Sequence, residues 1–594
     1  MRLADYIMQR LHLEGVRHIF QVTGRGSLFL NDAVARTEGI KAVSLHHEQS
    51  CAFAAVAHAD RSGNLGACLV STGCASTNAL TGVLTAWQDG IPCVFISGQN
   101  ILKETTRHTG LKLRTFGQQE ADIIDMVSSI TKYSKMVENP EEIETIMDEA
   151  LLAANSGRKG PVWLDVPLDV QSAAVDFQVR RFVSTQDAVL PNGLVDHWTE
   201  LTEILKESER PAILIGSGVR SAGVEREVHD FIERLGVPLV YTSSAPDIVG
   251  SHHAHSIGSV GAMGCSRAGN FTIQNADLVL ILGSRMSSLT TGPEATKFAR
   301  MAKTVVVDID PNEHRKDGIR IDKLIACDLR TFFDSQPAEL GYTAPVRWLE
   351  QCQHWKSLFA PVESDFSGSD EIDLYQLAEV LSQALTAGST LVTDSGLIEV
   401  ILPTNISFGR DVRCVHPVSQ GAMGFALPAA IGAQYAADGP VLAVIGDGSI
   451  MMNLQELESI RYQQLPIKIL VVNNNAYSII RRRQKELFRG RSIGTDPSNG
   501  VSCPSFEQVA TCFGLDYMLI DKVPQLPRGI ETLMKHERPV ICEVMGKTDQ
   551  SYIELGFARS AESNRFVRRP LEDQAPFLPR ELFLREMIVP PIDQ

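Results

Sequence analysis

Apolar residues fall in short runs and at helical spacing by turns along most of the chain, and the pattern is sharpest between 439 and 477. Val441 to Ile445 is an apolar run closed by Gly446-Asp447-Gly448, which reads as a buried strand and a tight turn. Asn453-Leu454-Gln455-Glu456 has the spacing of a helix cap, and Leu454, Leu457 and Ile460 follow at helical intervals. Pro466 marks a restart, and Ile467 to Val472 is a second apolar strand that ends at Asn473-Asn474-Asn475. This is a βαβ unit of the usual length, roughly 30 residues. Its crossover should be right-handed, so the two strands run parallel. Asp447 and Asn474 then leave the same carboxyl edge of one sheet, where open α/β sheets bind ligands.

The same alternation extends to both sides. Residues 1–180 read as a helix over 3–14, then a strand at His18 to Val22 before Thr23-Gly24-Arg25-Gly26. A strand approaches Leu45-His46-His47-Glu48-Gln49, and a small-residue helix follows from Ser50 to Arg61. Further strands are expected at Ala67 to Ser71, before Thr72-Gly73, and at Pro92 to Gly98 and Pro161 to Val166. Residues 190–345 form a second unit, with strands closed by Gly216-Ser217-Gly218, Gly283-Ser284-Arg285 and Asp308-Ile309-Asp310. Residues 370–550 form a third, in which Gln420-Gly421-Ala422-Met423-Gly424 opens a small-residue helix running to Ala436. Stretches 173–195 and 364–370 read as linkers, and 551–594 as a less regular tail. The expectation is three doubly wound, parallel-sheet α/β domains.

Composition narrows the function more by exclusion than by assignment. With 55 basic and 71 acidic residues the net charge is −16, which argues against general nucleic-acid binding. The 11 cysteines show no C-x-x-C pair and no zinc-ligand spacing, so reduced thiols in a cytoplasm are expected. The N-terminal helix is broken by charges and lacks the apolar core of a signal peptide. The apolar runs are of strand length, too short to span a membrane.

The edge at 447–474 carries the candidate chemistry. Asp447 offers a carboxylate and Asn474 an amide oxygen, hard ligands of the kind that suit magnesium. Gly446 and Gly448 let backbone N–H groups approach a diphosphate closely. Alone, a GDG turn is common. Followed 27 residues later by the Asn pair, it resembles the fingerprint of thiamin-diphosphate enzymes. That resemblance implies a magnesium site at Asp447, Asn474 and the Ala476 carbonyl, with Ser449 and Tyr477 beside the cofactor. It also implies that Met423 props the cofactor's two rings into a bent form and that the Gly421 carbonyl accepts from its 4′-amino group.

His47-Glu48-Gln49 resembles the family's H-E-Q segment. The implied role of Glu48 is to face N1′ of the aminopyrimidine from the neighbouring subunit, favouring the tautomer that deprotonates the thiazolium carbon. Without the fingerprint, Glu48 is an ordinary helix-start carboxylate. Gln119, Thr72 and Asn78 match active-site positions of the acetolactate-synthase branch, although Cys74 and Ala75 replace Pro-Gly within that turn. Gly24-Arg25 replaces Gly-Gly at a turn near the site, which puts a cation at its entrance. In that branch the central domain binds FAD. The candidate residues here are Gly216, Ser217, Gly218, Gly283, Arg285, Asp308 and Asp328, but the two aspartates and second arginine of the family segment after Gly283 are lost. The run 481–491 carries six cations, and Arg481 and Arg482 are candidates for an anionic acceptor or for a plain solvated face.

The resemblance implies decarboxylation of a 2-oxo acid, pyruvate first among them, and joining of the remaining acyl unit to an acceptor carbonyl. The acceptor is a second 2-oxo acid or a nucleotide-linked keto-sugar; a proton in its place gives simple decarboxylation. A catalytically silent binding protein on the same fold is the non-enzyme alternative. The family builds each site between subunits, so a homodimer or homotetramer is expected.

Overall fold

The computed structural model describes residues 1–181, 194–360, 366, 370–559 and 566–592. Three six-stranded sheets follow one another along the chain, and the strand pairs within each are parallel. The first contains β1 (His18–Gln21), β2 (Lys41–Ser44), β3 (Gly66–Val70), β4 (Cys93–Gln99), β5 (Tyr133–Met136) and β6 (Pro161–Pro167). The second contains β7 (Pro211–Ile215), β8 (Leu239–Tyr241), β9 (Ser256–Ser259), β10 (Leu278–Leu282), β11 (Lys303–Asp308) and β12 (Lys323–Ala326). The third contains β13 (Thr390–Thr393), β14 (Arg413–Val415), β15 (Val441–Gly446), β16 (Lys468–Asn473), β17 (Asp516–Ile520) and β18 (Val540–Met545). Helices flank the sheets. The central strands are apolar on both sides, as parallel sheets covered on two faces require.

The first and third sheets share one order, β2-β1-β3-β4-β6-β5 and β14-β13-β15-β16-β18-β17. The central sheet runs β12-β11-β10-β7-β8-β9. Strand order therefore reverses between β1 and β3, between β7 and β10, and between β13 and β15. Those are the crevices where such sheets hold ligands.

The first and third domains share a core. The helix Glu48–Ser62 follows β2, the helix Ala426–Gln434 follows β14, and the two pack together through small residues. A side chain on Gly432 would collide with the Ala54 carbonyl, so the close approach requires glycine there. Phe53 and Phe425 meet edge-on at 5.2 Å within the same cluster.

The predicted βαβ unit is present, with β15 and β16 paired from Leu442 beside Lys468 to Gly446 beside Val472. Its helix is not capped as the sequence suggested. A 3₁₀ turn occupies Ile450–Met452, and the helix runs Glu456–Tyr462. The Asn453 amide instead donates to the Gly424 carbonyl and Gln49 and accepts from Ser50, while buried Glu456 accepts the His46 N–H. Contact between domains has claimed both groups that a local cap would use. The helix expected from Gln420 is also shorter, because Gly421 and Gly424 take positive φ and turn the chain before Ala426.

The tail is more ordered than its sequence suggested. It forms two short antiparallel pairs and the helix Arg580–Glu586, and it docks on the central domain through Glu572 with Arg300 and Gln274 and through Phe583 on Phe271. The stretches read as linkers fall largely outside the described residues. All 11 cysteines are unpaired and most are buried. Among the described residues no helix is long and apolar enough to cross a membrane.

Candidate active site

Asp447 stands at the end of β15, beside the reversal point of the third sheet, and is 3% exposed. One carboxylate oxygen accepts the Gly448 N–H at 2.7 Å and the other the Asn475 N–H at 2.6 Å. Asn475 reaches that position with φ of 52°, in the left-handed region. The Asn474 amide nitrogen donates to Ser478 and its oxygen accepts from Ala476 N–H, which fixes its orientation. Burial pushes the Asp447 carboxyl above its ordinary value, against backbone N–H hydrogen bonds that pull it down. Among the described residues no cationic side chain forms an ion pair with it. A buried carboxylate without a counter-ion is costly. A carboxylate, an amide oxygen and a backbone carbonyl at one edge form an oxygen set suited to a hard divalent cation. Gly448 is needed for packing, since a side chain there would run into the Tyr477 ring; Gly446 has open space and carries no such constraint.

A residue that the sequence reading passed over braces this site. Asp394 ends β13, across the reversal point from Asp447, and is fully buried. Its carboxylate accepts N–H groups from Ser395 at 2.8 Å, Gly424 at 3.1 Å and Ala426 at 2.7 Å, and also the Ser449 hydroxyl. It thereby ties the segment holding Gly421 and Met423 to the turn that holds Asp447. Burial pushes it up to about 6. Its signal was the Thr393-Asp394-Ser395-Gly396 strand end, which has no fingerprint partner at fixed spacing. Glu399 was also missed. Its carboxyl lies 3.2 Å from where a side chain on Gly421 would begin, and burial with Asp394 and Asp89 nearby pushes it up to about 8.

On the first domain the structure gathers a second group. Glu48 is the first residue of its helix, behind His47, which accepts the Gln49 N–H. The Glu48 carboxylate accepts from Asn78 at 2.9 Å. Gly24 and Gly26 press on Ser71 and Thr72, and Gly73 presses on the Gln119 backbone, so side chains at these glycines would clash. Gln119 itself has φ of 58°. Thr72 donates to the Gly98 carbonyl, and Arg25 donates to Gln118. A pocket between Arg25, Thr72, Asn100, Glu104 and Gln119 opens at this edge. Within one chain no hydrogen bond among the described residues joins Glu48 to Gly421, Met423 or Asp447.

The residues suggested for FAD gather at the reversal point of the central sheet. Ser217, Gly218, Gly283, Arg285, Asp308 and Asp328 line one cleft, which the first domain closes with Arg158 and Lys159 and the third with Ser419. Gly216 and Gly218 lie directly against Gly283 and Ser284, where any side chain would clash. Arg285 donates to Ser419 at 2.7 Å, and Ser419 donates to half-buried Asp89. Arg481 and Arg482 lie on the helix Ser478–Leu487 and are paired within the chain, Arg481 with Asp496 and Asp549 and Arg482 with Glu486 and Glu554.

Family models described as thiamine pyrophosphate enzyme match all three domains: the N-terminal TPP binding domain over residues 1–126, the central domain over 198–335 and the C-terminal TPP binding domain over 394–544. The chain is 29% identical over 551 residues to acetolactate synthase isozyme 2 large subunit of Escherichia coli (strain K12), covering 92% of this chain and 95% of the relative. It is 30% identical over 562 residues to acetolactate synthase 1, chloroplastic, of Zea mays, covering 91% and 85%. A third relative is the acetolactate synthase large subunit of Parasynechococcus marenigrum (strain WH8102), at 29% over 556 residues, covering 91% and 87%.

Proposed function

The chain belongs to the thiamine pyrophosphate enzyme family, and from that premise we propose that it decarboxylates pyruvate or a close 2-oxo acid and joins the acyl unit to an acceptor carbonyl. Its relatives are enzymes that depend on thiamin diphosphate for decarboxylation and carboligation, and that general class holds for this chain. The observation that supports the reading is buried Asp447, tied to Asn475 at the end of the neighbouring strand and standing beside a turn braced by Asp394.

These residues suit the cofactor. Asp447, Asn474 and the Ala476 carbonyl would hold Mg²⁺, which would offset the buried charge of Asp447 and bind the diphosphate. Backbone N–H groups near Gly448 and Ser449 would face the phosphate oxygens. Met423 and Gly421 would hold the ring system, with Asp394 fixing their place. When bound, thiamin diphosphate supplies the nucleophilic carbon and the electron sink for loss of CO₂. Glu48 would hold a proton at a ring nitrogen, oriented by Asn78. The family's habit of building each site between subunits supports a homodimer or homotetramer, with Glu48 serving the partner's cofactor. Gln119, Thr72, Gly24 and Arg25 would line the substrate side of that shared site. For the central cleft we propose FAD, on its two reversal-point strand ends and on Asp308 and Asp328; the alternative is an inert domain that keeps the same fold.

A second acceptor class has an observation in its favour. The pocket beside Gln119 is lined mainly by polar residues, Arg25, Thr72, Asn100, Glu104 and Gln118 among them, with Ile101 and Leu168 as its apolar part and no aromatic side chain. Such a wall suits a polyhydroxylated acceptor, such as a nucleotide-linked keto-sugar, better than a small apolar ketone. CO₂ release from pyruvate with cofactor and Mg²⁺, followed by product identification with each acceptor class, tests both parts. No CO₂ from pyruvate refutes the donor assignment, and acetolactate as the sole product refutes the sugar acceptor.

A further inference from the structure

Away from the site described above, the central domain carries a cluster of metal-binding side chains. The helix Glu225–Leu235 presents His229 and Glu233 one turn apart on one face. The segment after β8 returns His253 against them. His253 Nε2 lies 3.3 Å from Glu233 Oε1, and the rings of His229 and His253 meet edge-on at 4.6 Å. One ligand atom from each of the three lies within 4.8 Å of the others. Behind His229, Asp230 approaches Nδ1 at 3.7 Å.

We propose that His229, Glu233 and His253 bind a Zn²⁺ ion that clamps the 251–255 turn onto the helix Glu225–Leu235. Two imidazoles and one carboxylate are a nitrogen and oxygen set that zinc accepts, with water in the remaining position. Ligand atoms ~2.1 Å from a tetrahedral zinc stand ~3.4 Å apart, so closure needs side-chain rotations that move these atoms by about 1 Å. Glu233 is exposed and free to move that far. The proposal carries one further requirement. His253 Nδ1 now accepts the His255 N–H at 3.2 Å. Ligation through Nε2 puts the ring proton on Nδ1, so that weak contact is given up.

The location suggests what the ion does. Ser251, at the start of the same turn, donates its N–H to the Phe408 carbonyl at 2.9 Å and accepts the Phe408 N–H on its hydroxyl at 3.1 Å. The turn is thus part of the seam between the central and third domains. An ion that rigidifies it stabilises that seam without touching the reacting atoms.

The test is titration calorimetry with Zn²⁺ alone, on full-length protein free of thiamin diphosphate and magnesium. Asp447→Ala serves as the parent, so that the other candidate cation site is absent. The parent is expected to take up one zinc per chain and to melt at a higher temperature with zinc present. Adding His229→Ala and His253→Ala should weaken zinc binding by roughly 100-fold or more and abolish the melting shift. His229→Gln with His253→Gln is a second, less disruptive pair. Equal melting of all the zinc-free proteins confirms that the variants are folded. The proposal is overturned if the parent takes up no zinc, or if either double variant binds it as the parent does.

Discussion

Replacing Asp394 with alanine removes the acceptor that joins the two halves of the proposed cofactor cradle, and its cost follows from the hydrogen bonds. The Gly424 N–H keeps a second acceptor in Ser449 Oγ at 2.8 Å, and half-exposed Ser395 is open to water. The Ala426 N–H is buried, and Asp394 is its acceptor at 2.7 Å. Leaving it unsatisfied costs about 1–3 kcal/mol. Against this stands the cost of burying the carboxylate itself, whose pKa rises from 3.8 to about 6 in the folded protein. The unfolded chain loses this proton near pH 4 and the folded chain near pH 6. In that window the unfolded state binds fewer protons, so this group's contribution falls as pH rises and is flat above about 6. The 2.2-unit difference corresponds to about 3 kcal/mol. Asp394→Ala is therefore expected to be less stable than the parent by about 1–3 kcal/mol near pH 4, and equal to it or slightly better at pH 8. Comparing the two proteins at each pH cancels the titrating groups that Asp394 does not influence; Glu399, which Asp394 helps push up to about 8, ionises more easily in the variant and adds to its gain at pH 8. Urea unfolding at the two pH values, followed by tryptophan fluorescence, reads the stability. Calorimetry with thiamin diphosphate at pH 8 should show affinity lost by at least tenfold, although stability there is intact. A stability difference that does not shrink with rising pH, or unchanged cofactor affinity, refutes the bracing role.

Three further outcomes are expected. Glu48→Gln should keep the fold and bind cofactor but lower turnover by roughly 10²–10⁴, measured as CO₂ release; near-parental turnover removes Glu48 from the mechanism. Purified protein should show flavin absorption, and a colourless preparation that takes up no added FAD refutes the central-cleft assignment. Arg481→Gln with Arg482→Gln should spare pyruvate decarboxylation and raise KM for a nucleotide keto-sugar, more so at low salt where exposed charges are least screened; an unchanged KM leaves the pair as partners of Asp496 and Glu554 only.

Much of the fold was legible because parallel strands buried on both faces are short apolar runs, as in Val441–Gly446 and Lys468–Asn473. Asp447 and Asn474 were legible for a related reason, since each follows such a run directly. Edge strands were less so: Lys41–Ser44 was read from its approach to Leu45, but the other edge of that sheet was not. Tyr133–Met136 is only half-buried, so its sequence carries no apolar run. The cap assigned to Asn453 failed because domain packing took that side chain, which no local pattern records. Asp394 was invisible in kind: its four partners lie at 395, 424, 426 and 449, and only the sheet order makes them neighbours. Strand order also supplied the likeness of the first and third domains, which the two sequences do not display.

The central claim is that Asp447 anchors a metal-bound diphosphate. The most direct measurement is calorimetric titration of thiamin diphosphate, with and without Mg²⁺, into the parent and Asp447→Ala proteins. The parent should bind the cofactor with an affinity that depends on Mg²⁺, and Asp447→Ala should lose that dependence together with most of the affinity. Equal, Mg²⁺-dependent binding by both proteins would contradict the account.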